Sequence, residues 1–253
     1  MLLLLDIGNT HTHLGWANQR RVVRHKDVPT SRLLAGDAEA LIRDFVGECK
    51  PSGTALCSVV PRATPVAKAL VEHCWRLPCL ELTARTVTGI GIDYPLPQTI
   101  GADRLANAIA LRRHFGAPSV AVAFGTALAF DVVNGDGNYA GGIIAPGLSA
   151  MTDYLHEKTA LLPRVHIRDT EAVIGKSTRE AMLIGAVHGY RGMVRELIRE
   201  LRRELKCRRL PVVATGGYAA LIAARVPEIT AVEPWLTLEG LRLAWWGGPG
   251  DGA

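Results

Sequence analysis

The sequence lacks any apolar run approaching the roughly 18 to 20 residues that a membrane-spanning helix needs. Its leucine-rich start, Met1 to Leu5, is preceded by no basic residue and is interrupted by Asp6, so it does not have the pattern of a secretory signal. We therefore expect a cytoplasmic protein that does not associate with a membrane.

Cysteine is scarce, and the five cysteines form neither a CxxC pair nor a Cys/His ligand spacing. The number is also odd, so free thiols in a reducing compartment fit better than a disulfide framework or a zinc site. His11 and His13 flank Thr12, but no third ligand lies nearby in the sequence, which argues against a metal pair there.

The excess of positive charge is confined to one segment. The net charge is +5, and the segment Arg191 to Arg209 holds eight Lys or Arg and three Glu, which accounts for the whole excess. Its apolar residues recur at helical spacing, and its arginines alternate with glutamates, as in an exposed helix with ion pairs. This pattern favours a solvated helix over a basic docking surface, and we expect no nucleic-acid partner.

Two similar strand–turn–strand units lie about 120 residues apart, which indicates duplicated halves. The first has strands at Leu2–Asp6 and His13–Ala17 around a turn at Gly8-Asn9-Thr10, and the second has strands at Ser119–Phe124 and Leu128–Val133 around Gly125-Thr126. We predict an N-terminal half at residues 1–115 and a C-terminal half at 116–253, with both turns facing a shared cleft.

Helical patterns alternate with short strand-like runs along the rest of the chain. The predicted helices are Ala38–Gly47, Thr64–Cys74, Ala102–His114 and Ser177–Glu204, and the further strands are Thr54–Val60 and Pro211–Ala214. This order predicts an α/β fold of mixed sheets flanked by helices. The tail from Gly247 to Ala253 is rich in Gly and Pro, and we expect it to be frayed.

Three glycine turns have the composition of a phosphate-binding site. In Asp6-Ile7-Gly8-Asn9-Thr10 the glycine lets backbone amides approach phosphate oxygens, and Asp6 is placed to hold the water shell of a nucleotide-bound Mg²⁺. Gly125-Thr126 suits a second grip on a triphosphate, and Gly216-Gly217 leaves room for a base or ribose. A plain hairpin turn is the alternative for each one alone, but three in this order favour a nucleotide.

Gly101-Ala102-Asp103-Arg104 stands immediately before a predicted helix. It places a carboxylate beside a guanidinium on backbone suited to anion binding. The alternative is a structural carboxylate that the helix dipole favours. Gly141 to Gly147 is predicted to be another loop that lets a ligand approach the backbone, or a turn at a sheet edge.

The sequence resembles type III pantothenate kinase, in order, from residue 1 to about 245. The resemblance is carried by Asp6-Ile7-Gly8-Asn9-Thr10, Ser58-Val59-Val60-Pro61, Tyr94-Pro95, Gly101-Ala102-Asp103-Arg104, Gly125-Thr126-Ala127, Gly141 to Gly147 and Gly216-Gly217. It implies an actin-like, ribonuclease H-like fold with a central nucleotide cleft. It also implies transfer of the ATP γ-phosphoryl group to the primary hydroxyl of pantothenate, the first step of coenzyme A synthesis.

The resemblance also implies roles for particular residues. Asp103 would be the general base, with Gly101, Ala102 and Arg104 completing the pantothenate site, Tyr94 packing on pantothenate, and Thr178 reaching it from the partner of a homodimer. The ATP site would consist of Asp6, Ile7, Gly8, Asn9, Thr10, His11, Thr12, His13, Gly125, Thr126, Gly216 and Gly217.

Two positions depart from the family pattern D-x-G-T-A-x-T at the second turn. Its first Asp ligates an activating potassium or ammonium ion in the family, but that position is Ala123 here, and the last Thr is Ala129. Asp131 is nearby, although nothing in the pattern reassigns the cation to it. The enzyme therefore either works without the monovalent cation or has lost activity. Two alternatives stay open: a catalytically weak regulatory relative, or another actin-like small-molecule kinase or polyphosphatase.

Overall fold

The computed structural model describes residues 1–247, so the predicted frayed tail lies outside the described residues except for Gly247. The described chain forms two compact units. Unit 1 contains Met1–Phe115, Gly137–Tyr139 and the described residues from Trp235 onward, and unit 2 contains Gly116–Asp136 and Ala140–Pro234.

The elements follow one another as an alternation of strands and helices. Up to residue 115 they are β1 (Leu2–Ile7), β2 (His11–Ala17), β3 (Val22–Pro29), α1 (Thr30–Leu34), α2 (Glu39–Val46), β4 (Gly53–Ser58), α3 (Ala63–Trp75), β5 (Cys79–Glu81), β6 (Gly91–Ile92) and α4 (Ala102–Phe115), with a 3₁₀ turn at Pro97–Thr99. They continue as β7 (Ser119–Phe124), β8 (Ala127–Val133), β9 (Asn138–Pro146), α5 (Leu148–Lys158), α6 (Thr178–Glu204), β10 (Val212–Thr215), α7 (Ala219–Ala223), β11 (Ala231–Val232) and α8 (Leu236–Trp246).

Unit 1 is built on a mixed five-stranded sheet in the order β3-β2-β1-β4-β5. β1, β2 and β3 pair antiparallel, whereas β4 runs parallel to β1 and β5 parallel to β4. Leu2, Leu3, Leu4 and Leu5 are all fully buried, because both faces of β1 are covered. An unbroken apolar run is the pattern expected of such a strand.

The last helix, α8, belongs to unit 1, where it packs against α4 and against β1, β2 and β4. A Cβ on Gly240 would lie only 1.9 Å from the backbone oxygen of Ala106, so the crossing with α4 requires a glycine there. The predicted second half, residues 116–253, includes this helix. The structure instead groups it with the first 115 residues, because its apolar side covers their sheet.

Unit 2 repeats the plan of unit 1 on a second sheet, whose six strands have the order β11-β10-β7-β8-β9-β6, with β6 paired to Asn138 and Tyr139 at the start of β9. β7 and β8 form an antiparallel hairpin, and β10 lies parallel to β7 on its other side. The first hairpin has six-residue and seven-residue strands, and the second has the same lengths and the same sequence of buried and exposed positions. The predicted α/β architecture of duplicated hairpins is confirmed.

Some elements differ from their predictions. The segment Gly141–Gly147, predicted as a loop, lies within β9 up to Pro146, and Gly141 has a positive φ of 104° there. The long predicted helix is present as α6, with the Ser177 side chain accepting a hydrogen bond from the Glu180 N–H at its start. On its exposed face Arg199 pairs with Glu196 and Arg203 with Glu200, which confirms the ion-paired helix.

None of the helices in residues 1–247 has the length and apolar character of a membrane span.

Candidate active site

A row of polar side chains crosses four strands of the unit 1 sheet. Asp6 on β1 is paired in register with His13 on β2 and with Cys57 on β4, and His13 is paired with Asp27 on β3. Partners in register project from the same face of a sheet, so these four side chains lie side by side. The Cys57 thiol donates to Asp6 Oδ1 at 3.4 Å, and His13 Nδ1 is 2.7 Å from Asp27 Oδ1.

The first glycine turn joins β1 to β2 next to this row. The Gly8 N–H donates to the His11 carbonyl at 3.0 Å, and the Thr30 hydroxyl donates to the Gly8 carbonyl at 2.7 Å. Asn9, Thr10 and His11 are exposed, as a ligand-binding turn requires. Two predicted ATP-site residues contribute no accessible side chain. Ile7 is fully buried in the core, and the buried Thr12 hydroxyl is 3.0 Å from that of Thr30.

Asp103 lies in the first turn of α4, where its Oδ1 accepts the Arg104 N–H at 2.9 Å. A Cβ on Gly101 would come within 2.6 Å of that oxygen, so the glycine leaves the carboxylate room. Burial raises the pKa of Asp103 above its ordinary value, although the hydrogen bond from the Arg104 amide and the Arg104 charge oppose this. Asp103 is thereby a stronger base than a solvated carboxylate.

The charge of Asp103 affects the ionisation of Asp6. Burial raises the pKa of Asp6 to about 6; His13 opposes this effect, and the negative charge of Asp103 adds to it. The structure therefore brings together two of the predicted catalytic and binding residues, which are 97 positions apart in the sequence. A cation beside the pair would favour the ionised form of both.

The Asp6 carboxylate suits a hydrated Mg²⁺ that is held mainly by nucleotide phosphates. It is a hard oxygen ligand at the end of a buried strand, and its raised pKa indicates a charge that the protein only partly compensates. Within residues 1–247 no group of three or more His, Cys, Asp or Glu side chains forms a metal cage.

Two aromatic rings accompany Arg104. Its guanidinium carbon lies 5.7 Å from the centroid of the Tyr139 ring, and that ring lies 6.1 Å from the ring of Tyr94 at an angle of 59°. Tyr139 is fully buried, and Tyr94 is exposed. The predicted substrate residues Tyr94, Asp103 and Arg104 thus lie in unit 1 with Tyr139, which the sequence analysis did not single out.

The glycine segments of unit 2 converge on its own turn. Gly125 and Thr126 are exposed between β7 and β8, and a Cβ on Gly147 would lie 2.3 Å from the Thr126 carbonyl oxygen. Gly216 has φ +91°, and a Cβ there would lie 2.7 Å from the Phe124 carbonyl oxygen. The predicted phosphate turn and the predicted nucleoside segment, with Gly216 and the exposed Gly217, are therefore neighbours.

The comparisons with known proteins decide the family. A model described as Type III pantothenate kinase matches residues 2–200.

The chain belongs to the type III pantothenate kinase family.

A Type III pantothenate kinase of Akkermansia muciniphila is 43% identical over 242 residues, covering 96% of this chain and 97% of its own. One of Methylacidiphilum infernorum is 42% identical over 243 residues, covering 96% of this chain and 87% of its own.

Solved structures of low sequence identity share the fold. The ROK hexokinase of Thermus thermophilus matches with a TM-score of 0.51 at 16% identity, over 96% of this chain and 97% of that one. The ethanolamine utilization protein EutJ of Carboxydothermus hydrogenoformans matches with a TM-score of 0.55 at 14% identity, over 95% and 88%. The predicted actin-like fold is confirmed.

The departure from the family pattern lies at one place in the unit 2 sheet. Ala123 on β7 is paired with Ala129 on β8 and with Thr215 on β10. By strand position these three correspond to Asp6, His13 and Cys57 of unit 1. Where unit 1 presents a carboxylate and an imidazole, unit 2 presents two methyl groups. Asp131 is fully buried two residues further along β8.

Thr178 is exposed on the first turn of α6, in unit 2. This helix start is well fixed, because the Ser177 side chain accepts from the Glu180 N–H at 3.2 Å and the Glu180 side chain accepts from the Lys176 N–H at 2.6 Å. The predicted role of Thr178 concerns a second subunit, and its exposure leaves it accessible to one.

Proposed function

We propose that this protein is a cytoplasmic pantothenate kinase, which converts pantothenate and ATP to 4'-phosphopantothenate and ADP in the first step of coenzyme A biosynthesis. The observation that carries the proposal is the placement of two carboxylates in unit 1, Asp6 beside a glycine phosphate turn and Asp103 beside Arg104, with the charge of Asp103 contributing to the raised pKa of Asp6. One carboxylate is placed for the nucleotide and its metal, and the other for the hydroxyl that is phosphorylated.

Asp103 acts as the general base. It accepts the proton of the primary hydroxyl while that oxygen forms a bond to the γ-phosphorus and the bond from this phosphorus to the bridging oxygen of ADP breaks. Its raised pKa increases its basicity, and the Arg104 amide and guanidinium oppose the rise by favouring the ionised carboxylate. Positioning and charge neutralisation supply most of the remaining catalysis.

The first turn and Asp6 bind the triphosphate. Gly8 shapes the turn, with its N–H hydrogen-bonded to the His11 carbonyl, and the side chains of Asn9, Thr10, His11 and His13 supply donors. Asp6 would hold Mg²⁺, which would neutralise phosphate charge. In unit 2, Gly125 and Thr126 contact phosphates, and Gly216 and Gly217 contact the nucleoside. Support comes from the exposure of these turns and from the glycine contacts that hold the unit 2 segments together.

Arg104 and Tyr94 bind pantothenate. A guanidinium is the side chain best suited to a carboxylate, which it can hold with two parallel hydrogen bonds. With that end of pantothenate held by Arg104, the hydroxyl end is directed towards Asp103. Tyr94 is exposed enough to pack against the ligand, and Gly101 and Ala102 keep the backbone beside Asp103 unobstructed.

The test is ADP release from MgATP in the presence of pantothenate, with and without potassium. Formation of 4'-phosphopantothenate supports the proposal. Turnover of sugars or hydrolysis of polyphosphate without any turnover of pantothenate would instead identify another actin-like phosphotransferase. Binding of both substrates without turnover would identify a weak regulatory relative. Ala123 and Ala129, which replace the Asp and Thr of the family pattern, are the structural reason to consider this outcome.

We expect turnover without a requirement for potassium. A bare cation cannot lose its water without compensating oxygen ligands, and Ala123 and Ala129 offer only methyl groups. Replacing potassium with sodium at constant ionic strength should change kcat by less than about threefold. Constant ionic strength keeps the general screening by salt equal, so any remaining difference in kcat would come from specific binding of the cation. The matched variant Ala123→Asp returns the carboxylate of the family pattern and should introduce saturable activation. Saturable activation of the unaltered enzyme would contradict the prediction and make Asp131→Asn the next variant.

We also expect a homodimer in which Thr178 completes the partner's substrate site. Support comes from exposed apolar side chains in unit 2, namely Tyr154, Leu155, Leu161, Val173 and Ile174. Asp103→Asn and Thr178→Ala, each impaired alone, should regain activity when mixed, because about a quarter of the sites then carry neither change. Light scattering after gel filtration gives the mass. A fully active monomer, or no recovery on mixing, would contradict the shared site.

A further inference from the structure

Tyr139 contacts each of the two side chains that are proposed to bind pantothenate. Its ring lies 5.7 Å beneath the guanidinium carbon of Arg104 and 6.1 Å from the ring of Tyr94. Both values fall within the ranges for cation–π and aromatic pairs. Because Tyr139 is fully buried and cannot shift without disturbing its neighbours, it is a fixed reference for two more exposed side chains.

The backbone of Tyr139 holds the same region. Tyr139 is paired with Ile92, and its carbonyl accepts the Asp93 N–H at 2.8 Å, one residue before Tyr94. A Cβ on Gly91 would lie 2.0 Å from Asn138 Oδ1, so a larger residue there would force the Asn138 side chain to move. The start of β9 therefore fixes the strand that leads into Tyr94.

A fixed guanidinium discriminates between ligands in a way that a mobile one does not. An arginine has many rotamers, and immobilising it on binding costs conformational entropy that weakens the interaction. A ring that already confines Arg104 removes part of that entropic cost when the guanidinium binds the carboxylate of a ligand. A neutral ligand of similar shape gains much less, because it makes no charged hydrogen bonds with the guanidinium.

We propose that Tyr139 is a positioning residue of the substrate site, which holds Arg104 and Tyr94 in place and thereby sets the preference for a substrate that ends in a carboxylate. The inference rests on the proposed function, because it takes pantothenate as the ligand of Arg104. Tyr139 acts through Arg104 and Tyr94, so the effect should appear in substrate binding and not in the chemical step.

The experiment compares Tyr139→Leu and the longer, unbranched Tyr139→Met with Tyr139→Phe. Calorimetric Kd values are measured for pantothenate and for its neutral primary amide, together with kcat and the KM for ATP. Both aliphatic variants should weaken pantothenate binding about tenfold and amide binding less than about twofold, with kcat and the KM for ATP little changed. Tyr139→Phe keeps the ring and should stay within about twofold of the unaltered enzyme.

Phe45→Leu is the matched control. Phe45 is a buried ring of the same unit with a guanidinium, that of Arg24, 5.0 Å from its centroid. It should lose thermal stability as the Tyr139 variants do but keep the preference for pantothenate over the amide. Equal losses for the two ligands, or an unchanged preference, would overturn the role of Tyr139 while leaving the proposed function intact. Failure of the unaltered protein to bind pantothenate would overturn both.

Discussion

Asp103→Asn should lower kcat by roughly 10² to 10⁴ while the KM for ATP and the unfolding temperature change little. The amide keeps the shape of the side chain and can still accept the Arg104 N–H, so the start of α4 should remain intact. It cannot accept the proton of the substrate hydroxyl, however, and the proton would have to pass to water. Steady-state kinetics with pantothenate, together with thermal unfolding, measure both consequences.

The control for Asp103→Asn is Glu39→Gln, which alters another first-turn carboxylate of unit 1. Glu39 lies at the start of α2 and pairs with Arg43 Nε at 2.7 Å. Its loss should affect stability slightly and leave kcat unchanged, as expected for a carboxylate that pairs with Arg43 and complements a helix dipole but takes no part in the reaction. If Asp103→Asn behaved like this control, with a small loss of stability and nearly full turnover, Asp103 would be a structural helix-start residue instead of the base.

Asp6→Asn should lower kcat/KM by at least about a hundredfold and, at the same time, stabilise the ligand-free protein at neutral pH. Asp6 has its pKa raised from 3.8 to about 6, mainly by burial, so keeping it ionised at pH 7 costs folding free energy. A shift of this size corresponds to about 3 kcal/mol. Asparagine carries no charge and avoids the cost, but it loses the interaction with Mg²⁺ and phosphate.

The pH dependence gives the sign of the Asp6 effect. A group whose pKa is raised on folding contributes its full stability below the unfolded value and loses it as the pH rises through the folded value. The stability from Asp6 is therefore complete below about pH 4 and lost by pH 7. The advantage of Asp6→Asn should be absent near pH 4 and reach about 5–10 °C in unfolding temperature near pH 8. The titratable groups around position 6 are the same in the parent protein and in the Asp6→Asn variant, namely His13, Asp27, Cys57 and Asp103.

Asp44→Asn provides a control of opposite sign. Lys26 lowers the pKa of this surface carboxyl through a hydrogen bond at 2.9 Å, so its replacement should slightly reduce stability at neutral pH. Both curves come from thermal unfolding without nucleotide between pH 4 and 8. An Asp6→Asn protein that is less stable than the parent at every pH would contradict the claim that the buried charge of Asp6 destabilises the folded protein.

The parts of the site that could be predicted are those whose residues are contiguous. The turn after Asp6 and the helix start at Asp103 each combine a carboxylate, a glycine and a hydrogen-bonding neighbour within a few positions, so composition alone indicates an anion site. Cys57 and Asp27 could not be found in this way. They join Asp6 and His13 only through the register of four strands, and register depends on packing across the whole sheet.

Tyr139 and the last helix escaped prediction for related reasons. Tyr139 precedes two adjacent glycines, which favour a loop locally, yet pairing with neighbouring strands makes that segment an extended strand. The helical pattern of α8 does not by itself indicate which sheet the helix covers, because both units contain a sheet with an apolar face. The place of α8 is decided by the fit of Gly240 against Ala106, a contact between residues far apart in the sequence.

The position of α8 has a consequence for how the chain is made on the ribosome. Synthesis proceeds from the N-terminus, and domains usually fold as they emerge. Here the sheet that carries Asp6 is translated before unit 2, but α8, one of the helices that cover it, is translated after unit 2. The nascent unit 1 must therefore wait with apolar surface exposed while all of unit 2 is translated. The unit whose synthesis starts first is the last to be completed.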